Sequence, residues 1–216
     1  MSRKRVAILI SGRGSNMRAL IDAARAPGYP AEIDLVVSNR REAAGLEYAR
    51  AAGIATAVVH HRDFVDRRSF ESALEKELRA ARIELVCLAG FMRLLTPEFV
   101  AAWRDRILNI HPSLLPAFRG LDTHARALAA GVRFSGCTVH FVRAEMDAGP
   151  IIAQAAVPVR PDDDAERLAA RVLAAEHQAY RLALALVASG RARVEAERVV
   201  VADAVAPESA LLNPAG

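Results

Sequence analysis

Three polar residues stand at points in the sequence where acyl-transfer chemistry needs them. Asn109 and His111 are two residues apart at the end of the apolar run 106–110, so period-two alternation places both side chains on one face of a strand. Asp147 lies in the turn-forming segment 145–150, between two further strand-like runs. An amide, an imidazole and a carboxylate delivered to strand ends can carry out acyl transfer without a metal ion.

Each of these residues also has a purely structural interpretation. An asparagine ahead of a proline-rich loop is often a turn former, and a single histidine is more often a satisfied core residue than a catalytic one. Their joint placement at strand ends favours a site, because ligands of open α/β sheets bind outside the carboxyl ends of the strands.

A second candidate site lies near the amino terminus, in the sequence Ser11-Gly12-Arg13-Gly14-Ser15-Asn16. This segment follows the apolar run Val6–Ile10 and precedes a helical pattern. Exposed amides at a helix N-terminus attract a phosphate group, and glycines let the phosphate approach closely. A glycine turn that only caps the helix is the structural alternative.

The residues around this loop argue against a dinucleotide site. Such a site would need a third glycine where Met17 stands, and an acidic residue at the end of the second strand, where the sequence reads Ser38-Asn39-Arg40. A monophosphate ligand fits better, with Ser15 and Asn16 as additional donors.

Apolar runs alternate with helical patterns along the chain, which predicts an α/β fold with a mostly parallel central sheet flanked by helices on both faces. Segments 137–142 and 151–159 are predicted to pair as a hairpin. A long helix capped by Asp162–Asp164 is predicted to reach about Ser189, followed by one weak strand and a mobile tail from about residue 203. We expect a single domain over residues 1–216.

Composition limits the classes of partner. The formal net charge of +4 is scattered along the chain, which favours an anionic small molecule but does not form a nucleic-acid footprint. No apolar run is long enough to span a bilayer. Cys87 and Cys137 lie in apolar contexts without metal-ligand spacing, so we expect two buried thiols, a cytoplasmic protein and no metal site.

The segment NIHPSLLPAFRGLDTHARALAAGVRFSGCTVHFVRAEMDAGPIIAQAAVPV resembles the folate-dependent formyltransferases. The resemblance extends over about residues 6–189 and implies the Rossmann-like formyltransferase fold. It also implies direct transfer of a formyl group from 10-formyltetrahydrofolate to a primary amine. Asn109 and protonated His111 would stabilise the oxyanion, and Asp147 would favour the charged imidazole.

The resemblance also implies two binding regions. The loop SGRGSN resembles the one that holds the ribose phosphate of glycinamide ribonucleotide, which assigns substrate contacts to Gly14, Ser15, Asn16 and, on the late helix, Glu176. On the folate side Arg67 matches a family contact, and the loop after the fourth strand would recognise the pterin ring. The folate-binding residues implied are Arg67, Met92, Arg93, Leu94, Leu95 and Asn109. Spacing alone would instead make Met92 and Leu95 core residues.

Two positions depart from the family pattern. Arg119 stands where a proline is common in the purine-pathway enzymes, and Asp122 replaces a histidine near the site. These changes affect the pocket edge rather than the set of Asn109, His111 and Asp147.

Four alternatives remain open. A tRNA-directed formyltransferase would need a further domain, and a 10-formyltetrahydrofolate hydrolase would have an N-terminal regulatory region and often a histidine in place of Pro112. A non-catalytic binding module and a dehydrogenase are the others. Because the first strand begins at once and no extra domain follows, we expect the purine-pathway branch. We expect the protein to act on small molecules as a monomer or homodimer, without nucleic-acid or membrane partners.

Overall fold

Continuous apolar sequences form the inner strands of a seven-stranded sheet in the computed structural model, which describes residues 2–214. A separate two-stranded hairpin follows the last helix. In chain order the elements are β1 (Lys4–Ile10), α1 (Ser15–Ala24), β2 (Ala31–Ser38), α2 (Gly45–Ala51), β3 (Ala55–Val58), α3 (Arg67–Ala80), β4 (Leu85–Leu88), α4 (Pro97–Ala102), β5 (Ile107–His111), α5 (Thr123–Ala129), β6 (Phe134–Phe141), β7 (Ile151–Pro158), α6 (Ala165–Ala188), β8 (Ala192–Glu195) and β9 (Arg198–Val201). A short 3₁₀ helix, His61–Asp63, lies between β3 and α3.

The sheet has the strand order β3-β2-β1-β4-β5-β6-β7. Strands β1 to β5 run parallel to one another, whereas β6 is antiparallel to both β5 and β7. The predicted mostly parallel sheet and the predicted hairpin-like pair are therefore confirmed. The chain reverses its direction of travel across the sheet between β1 and β4, so the loops after these strands border the crevice where ligands of such sheets bind.

Alternate residues of β1 enter different halves of the core. Val6, Ile8 and Ile10 pack on one face with α1 and α6, while Ala7 and Leu9 pack on the other face with α3 and α4. All five are fully buried. A strand that is buried on both faces must be apolar throughout, which explains why this run shows no polar alternation.

Helix α6 begins as predicted, because the Asp164 side chain accepts a hydrogen bond from the Arg167 amide. The buried Tyr180 on this helix reaches across the sheet. Its hydroxyl lies 3.0 Å from the Leu88 carbonyl oxygen and 3.1 Å from that of Leu108. Tyr180 therefore links the last residue of β4 to Leu108 of β5, one residue ahead of Asn109.

The prediction of one weak strand after residue 191 was wrong, since β8 and β9 form a hairpin. Its two turn residues, Ala196 and Glu197, have φ values of 45° and 60°. Positive φ at both positions is the geometry of a type I′ turn, which usually carries Asn-Gly. Asn213 in the tail donates to the carbonyl oxygens of Arg133 and Val159; mobility of the tail stays a prediction.

Among the helices in the described part of the chain, none combines the length and apolarity needed to cross a bilayer.

Candidate active site

Asn109 and His111 lie on the same face of β5, as the alternation predicts, and Asp147 is delivered from the loop between β6 and β7. His111 is buried, and its Nδ1 lies 3.4 Å from Asp147 Oδ2. Asp147 adopts a left-handed backbone conformation with φ 53°, which is uncommon for a residue with a side chain. The structure thus brings an imidazole and a carboxylate into contact from positions far apart in the sequence.

A fourth polar residue, His140, completes this cluster, and the sequence analysis missed it. His140 pairs with Asn109 across β5 and β6, and its Nε2 lies 3.3 Å from Asn109 Nδ2. The same nitrogen lies 3.8 Å from Asp147 Oδ1. In the apolar run 137–142 a histidine looks like a core residue, so only the strand register with β5 could have identified it.

Burial lowers the pKa of His140, although the Phe141 carbonyl and Asp147 oppose this effect. The neutral ring has one N–H, and its Nδ1 lies 3.0 Å from the Phe141 carbonyl oxygen, which can only accept. The proton therefore belongs on Nδ1. This leaves Nε2 as the acceptor for the Asn109 amide and fixes which end of that amide is nitrogen.

Both ring nitrogens of His111 face acceptors. Its Nε2 lies 3.0 Å from the Phe118 carbonyl oxygen, opposite the side on which Nδ1 faces Asp147. A doubly protonated imidazolium donates to both, whereas a neutral ring can satisfy only one. The Gly120 amide donates to Asp147 Oδ2 at 2.9 Å, so the loop 118–120 holds both partners of His111.

The loop after β5 is supported by Thr138, which is fully buried opposite His111 in the strand register. Its hydroxyl donates to the Ser113 carbonyl at 2.7 Å and accepts from the Leu115 amide and from Gln154 Nε2, each at 3.0 Å. The proline-rich segment is thus held against the sheet immediately after the catalytic candidates.

The glycine-rich loop lines an open pocket at the carboxyl ends of β1 and β4. Gly14 adopts a left-handed conformation with φ 71°, in which a β-carbon would lie 3.0 Å from Met17 Cε. The pocket lining includes the amide-rich residues and two arginines: Ser11, Gly12, Arg13, Gly14, Ser15, Asn16 and Arg40. Backbone donors and two guanidinium groups provide the chemistry of a phosphate site.

Glu176 contacts this loop through Asn16, and its role in holding the substrate stays a prediction. Asn16 Nδ2 donates to Glu176 Oε2 at 2.7 Å, across the interface of α1 and α6. Burial raises the pKa of Glu176, while the Asn16 hydrogen bond opposes that increase. Asn16 Oδ1 has no hydrogen-bond partner among the described residues, although it is buried at the edge of the pocket.

Ser11 connects the glycine-rich loop to the segment after β4. Its hydroxyl donates to Asn39 Oδ1 at 2.6 Å and accepts from the Met92 amide at 2.8 Å. Asn39, which occupies the position of the missing ribose-binding acid, therefore ties β1 and β2 together instead. The Asn109 cluster lies outside the lining of this pocket, but Asn109 pairs with Leu88, the last residue of β4.

The folate-side residues form a mixed set. Met92 and Leu94 are 63% and 58% exposed, so the prediction from spacing that Met92 is a core residue was wrong. Leu95 packs against the core. Arg93 Nε is buried without a hydrogen-bond partner in residues 2–214, and Arg67 is exposed at the first residue of α3.

The far end of this segment is anchored by Glu71, which is 4% exposed on α3. Its carboxylate accepts from the Thr96 amide at 2.7 Å and from the Thr96 hydroxyl. Thr96 in turn caps α4 by accepting from the Phe99 amide. Within residues 2–214, no group of three or more His, Cys, Asp or Glu side chains is arranged to hold a metal ion.

Comparison with known proteins matches residues 4–184 to the formyl transferase family. The chain is 52% identical over 197 residues, or 90% of its length, to the trifunctional purine biosynthetic protein adenosine-3 of Drosophila melanogaster. It spans between 14% and 19% of the length of the trifunctional relatives it matches. It is also 44% identical to phosphoribosylglycinamide formyltransferase of Escherichia coli, over 88% of this chain and 89% of that protein.

Solved structures agree on the fold. The phosphoribosylglycinamide formyltransferase of Brucella melitensis is 57% identical, with a TM-score of 0.84 over 88% of this chain and 97% of that one. A formyltetrahydrofolate deformylase of Pseudomonas syringae pv. tomato is only 26% identical, yet it has a TM-score of 0.87 over 94% of this chain and 67% of that one. The fold is therefore shared by transferases and a deformylase, and the arrangement of site residues has to distinguish them.

Proposed function

The chain belongs to the formyl transferase family, and we propose that it transfers the formyl group of 10-formyltetrahydrofolate to the primary amine of glycinamide ribonucleotide, a step of purine (IMP) biosynthesis. The observation that carries this proposal is the adjacency of the phosphate-type pocket and the cluster of Asn109, His111 and Asp147. Both lie at the carboxyl ends of neighbouring strands, so a phosphorylated acceptor bound in the pocket can extend toward the cluster.

In the proposed reaction the amine attacks the formyl carbon, and the carbonyl oxygen becomes an oxyanion. Asn109 donates a hydrogen bond to that oxygen, and the positive charge of a protonated His111 nearby stabilises it. Both interactions strengthen as negative charge develops in the transition state. Collapse of the tetrahedral carbon breaks its bond to N10 of the folate. The proton that the amine loses ends on that nitrogen, and His111 lies where it can assist the transfer.

Asp147 orients His111, and His140 orients Asn109. Asp147 lies 3.4 Å from His111 Nδ1, which holds the imidazole in place beside the reacting carbonyl. His140 accepts one N–H of the Asn109 amide, so the second N–H is free to point at the substrate. Polar groups that are oriented before the substrate arrives cost no reorganisation during the reaction.

The acceptor would bind through its phosphate to the amides of Gly14, Ser15 and Asn16, with Arg13 and Arg40 supplying positive charge. The Asn16–Glu176 pair offers an amide and a carboxylate to the rest of the ribonucleotide. Asn16 Oδ1 is buried and has no hydrogen-bond partner within residues 2–214. This fits the role, because unsatisfied buried groups are costly unless a ligand completes them.

The folate would occupy the slot formed by residues 92–95 and Asn109, with Arg67 as a further contact. The exposed side chains of Met92 and Leu94 provide an apolar rim for a flat heterocycle, and the loop backbone offers hydrogen bonds. Arg93 Nε, which has no hydrogen-bond partner in the part of the chain that the structure describes, lies in the same segment.

We further propose that the protein needs no metal, acts in the cytoplasm as a monomer or homodimer, and has no nucleic-acid or membrane partner. The two cysteines are free and buried, which suits a reducing compartment. Burial raises the pKa of both the Cys87 and Cys137 thiols to about 12, so neither is a candidate nucleophile.

Hydrolysis of 10-formyltetrahydrofolate is the alternative, because a deformylase shares the fold. The test is to identify the formyl-bearing product by mass spectrometry after incubation with the folate and glycinamide ribonucleotide. Formylated nucleotide supports the transferase. Free formate with unmodified nucleotide would instead assign the protein as a hydrolase.

A further inference from the structure

Arg143 begins the turn that carries Asp147, and its guanidinium is held between two carboxylates. Nη2 lies 2.7 Å from Asp105 Oδ1, and Nε lies 2.7 Å from Glu197 Oε2. The remaining nitrogen, Nη1, donates to the Val142 carbonyl at 3.1 Å. The Arg143 side chain is only 13% exposed, so every nitrogen of a largely buried cation has a partner.

The two carboxylates come from separate parts of the chain. Asp105 lies just before β5, the strand that carries Asn109 and His111. Glu197 lies in the turn of the β8–β9 hairpin, beyond the residues 4–184 that match the family. Asp105 and Glu197 both have positive φ values, 56° and 60°, and such conformations persist only where surrounding contacts hold them.

The loop between β6 and β7 is pinned at its base. The Phe141 amide donates to the Pro150 carbonyl at 2.9 Å, and a β-carbon added at Gly149 would lie 1.7 Å from the Phe141 carbonyl oxygen. Beyond this base, the Gly120 amide holds Asp147 by a hydrogen bond. The two carboxylates described above hold Arg143. The residues between them are exposed and include Glu145, which pairs with Arg119 at the surface.

We propose that Arg143 is a positioning residue for Asp147, and that the β8–β9 hairpin is part of the active-site scaffold through Glu197. Fixing the turn at its first residue limits the positions that Asp147 can occupy four residues later, and so maintains its contact with His111. Arginine suits this role because its planar fork serves two carboxylates at once, which lysine cannot do. The inference rests on the proposed function where it assigns Asp147 a role in turnover.

The first test compares kcat and KM of Arg143→Gln, Arg143→Lys and Glu197→Gln with the wild type. We expect Arg143→Gln to lower kcat about tenfold, below the roughly hundredfold that a full 1 Å misplacement can cost. KM for the nucleotide should change little, because the acceptor loop is not touched. The kcat of Arg143→Lys should lie between those of Arg143→Gln and the wild type. Glu197→Gln should lose less kcat than Arg143→Gln does.

Arg193→Gln is the matched control. Arg193 forms an ion pair with Glu195 on the same hairpin at 2.7 Å, but neither residue contacts Arg143 or Asp105 in the described structure. Its removal tests whether any loss of charge on the hairpin lowers turnover. We expect wild-type kcat.

The second test asks whether Arg143 acts through Asp147. In an Asp147→Asn background the Arg143→Gln substitution should have no further effect on kcat, since the residue it positions is already inactive. Independently of substrate, exchange of the Gly120 amide with deuterated solvent should be faster in Arg143→Gln and Glu197→Gln than in Arg193→Gln, measured by NMR.

These results separate the two proposals. If the wild type shows no formyl transfer, the proposed function fails, while Gly120 exchange still decides whether Arg143 positions the loop. If Arg143→Gln does not fold, the same readouts on Glu197→Gln decide. Equal losses of kcat in both Asp147 backgrounds, or unchanged Gly120 exchange, would overturn the inference.

Discussion

Asn109 and His140 face each other across β5 and β6, with 3.3 Å between Asn109 Nδ2 and His140 Nε2. This contact sets the orientation of an amide whose nitrogen must face the substrate. Because burial lowers the pKa of His140, its ring stays neutral and can accept from Asn109. His140, for which no substrate contact is proposed, therefore orients Asn109, which does contact the substrate in the proposed reaction.

The first prediction concerns His140. Replacing it with alanine removes the acceptor, lets the Asn109 amide rotate, and should lower kcat about tenfold. Glutamine, whose side-chain oxygen can accept the same N–H, should retain more activity than alanine. ¹⁵N NMR of the wild type at neutral pH should show His140 as the neutral ring protonated on Nδ1. A protonated Nε2 or a charged ring would contradict this account.

The second prediction concerns the three proposed catalytic residues. Asn109→Ala, His111→Ala and Asp147→Ala should each lower kcat by about 10² to 10³, the range found for the loss of one oxyanion donor. Circular dichroism should show an unchanged fold, because none of the three residues belongs to the apolar core. Ordinary turnover in all three variants would show that the cluster is structural.

The third prediction uses the pH dependence of stability. Burial raises the pKa of Glu176 above its ordinary value of 4.5, so the folded protein binds this proton more tightly than the unfolded chain. The contribution of Glu176 to the free energy of unfolding then falls as pH rises from 4.5 through the raised value. Glu176→Gln does not titrate, so its stability advantage over the wild type should widen across that window.

Urea unfolding at several pH values measures this difference. Glu166→Gln, on the exposed first turn of the same helix, is the control and should show no such widening. A constant difference between Glu176→Gln and the wild type would contradict the assignment of Glu176 as a buried carboxyl. In turnover assays Glu176→Gln should raise KM for the nucleotide more than it lowers kcat.

The fourth prediction concerns the anchor of the folate-side segment. Glu71→Ala leaves the buried Thr96 amide and hydroxyl without their acceptor, which should cost about 2 to 4 kcal/mol in the free energy of unfolding. Glu75→Ala, one turn later on α3, removes only a surface pair with Arg79 and should change stability by about 0.5 kcal/mol or less. Similar losses in both variants would show that Thr96 finds another partner.

Much of the fold follows from local sequence. Strands that are buried on both faces must be continuously apolar, as residues 6–10 of β1 are. The β8–β9 hairpin was missed for a physical reason. Its type I′ turn carries Ala196 and Glu197, neither of which signals a positive φ, so local sequence contained no sign of a reversal. The surrounding contacts of Glu197 hold that geometry instead.

The candidate site could be predicted only in part. Asn109 and His111 share a strand, so their common face follows from alternation, and Asp147 follows from its turn sequence together with the family resemblance. His140 depends on the register between two strands, and Arg143 depends on carboxylates from distant segments. Contacts of this kind are set by tertiary packing, which no local pattern in the sequence encodes.

The most direct test of the central claim is an absorbance assay that measures loss of the formyl group from 10-formyl-5,8-dideazafolate. The assay is run with and without glycinamide ribonucleotide. We predict turnover that requires the nucleotide and is lost in Asn109→Ala. Equal deformylation without the nucleotide would contradict the transferase assignment and indicate a hydrolase. Folate binding with no turnover in either condition would contradict both and leave a binding protein.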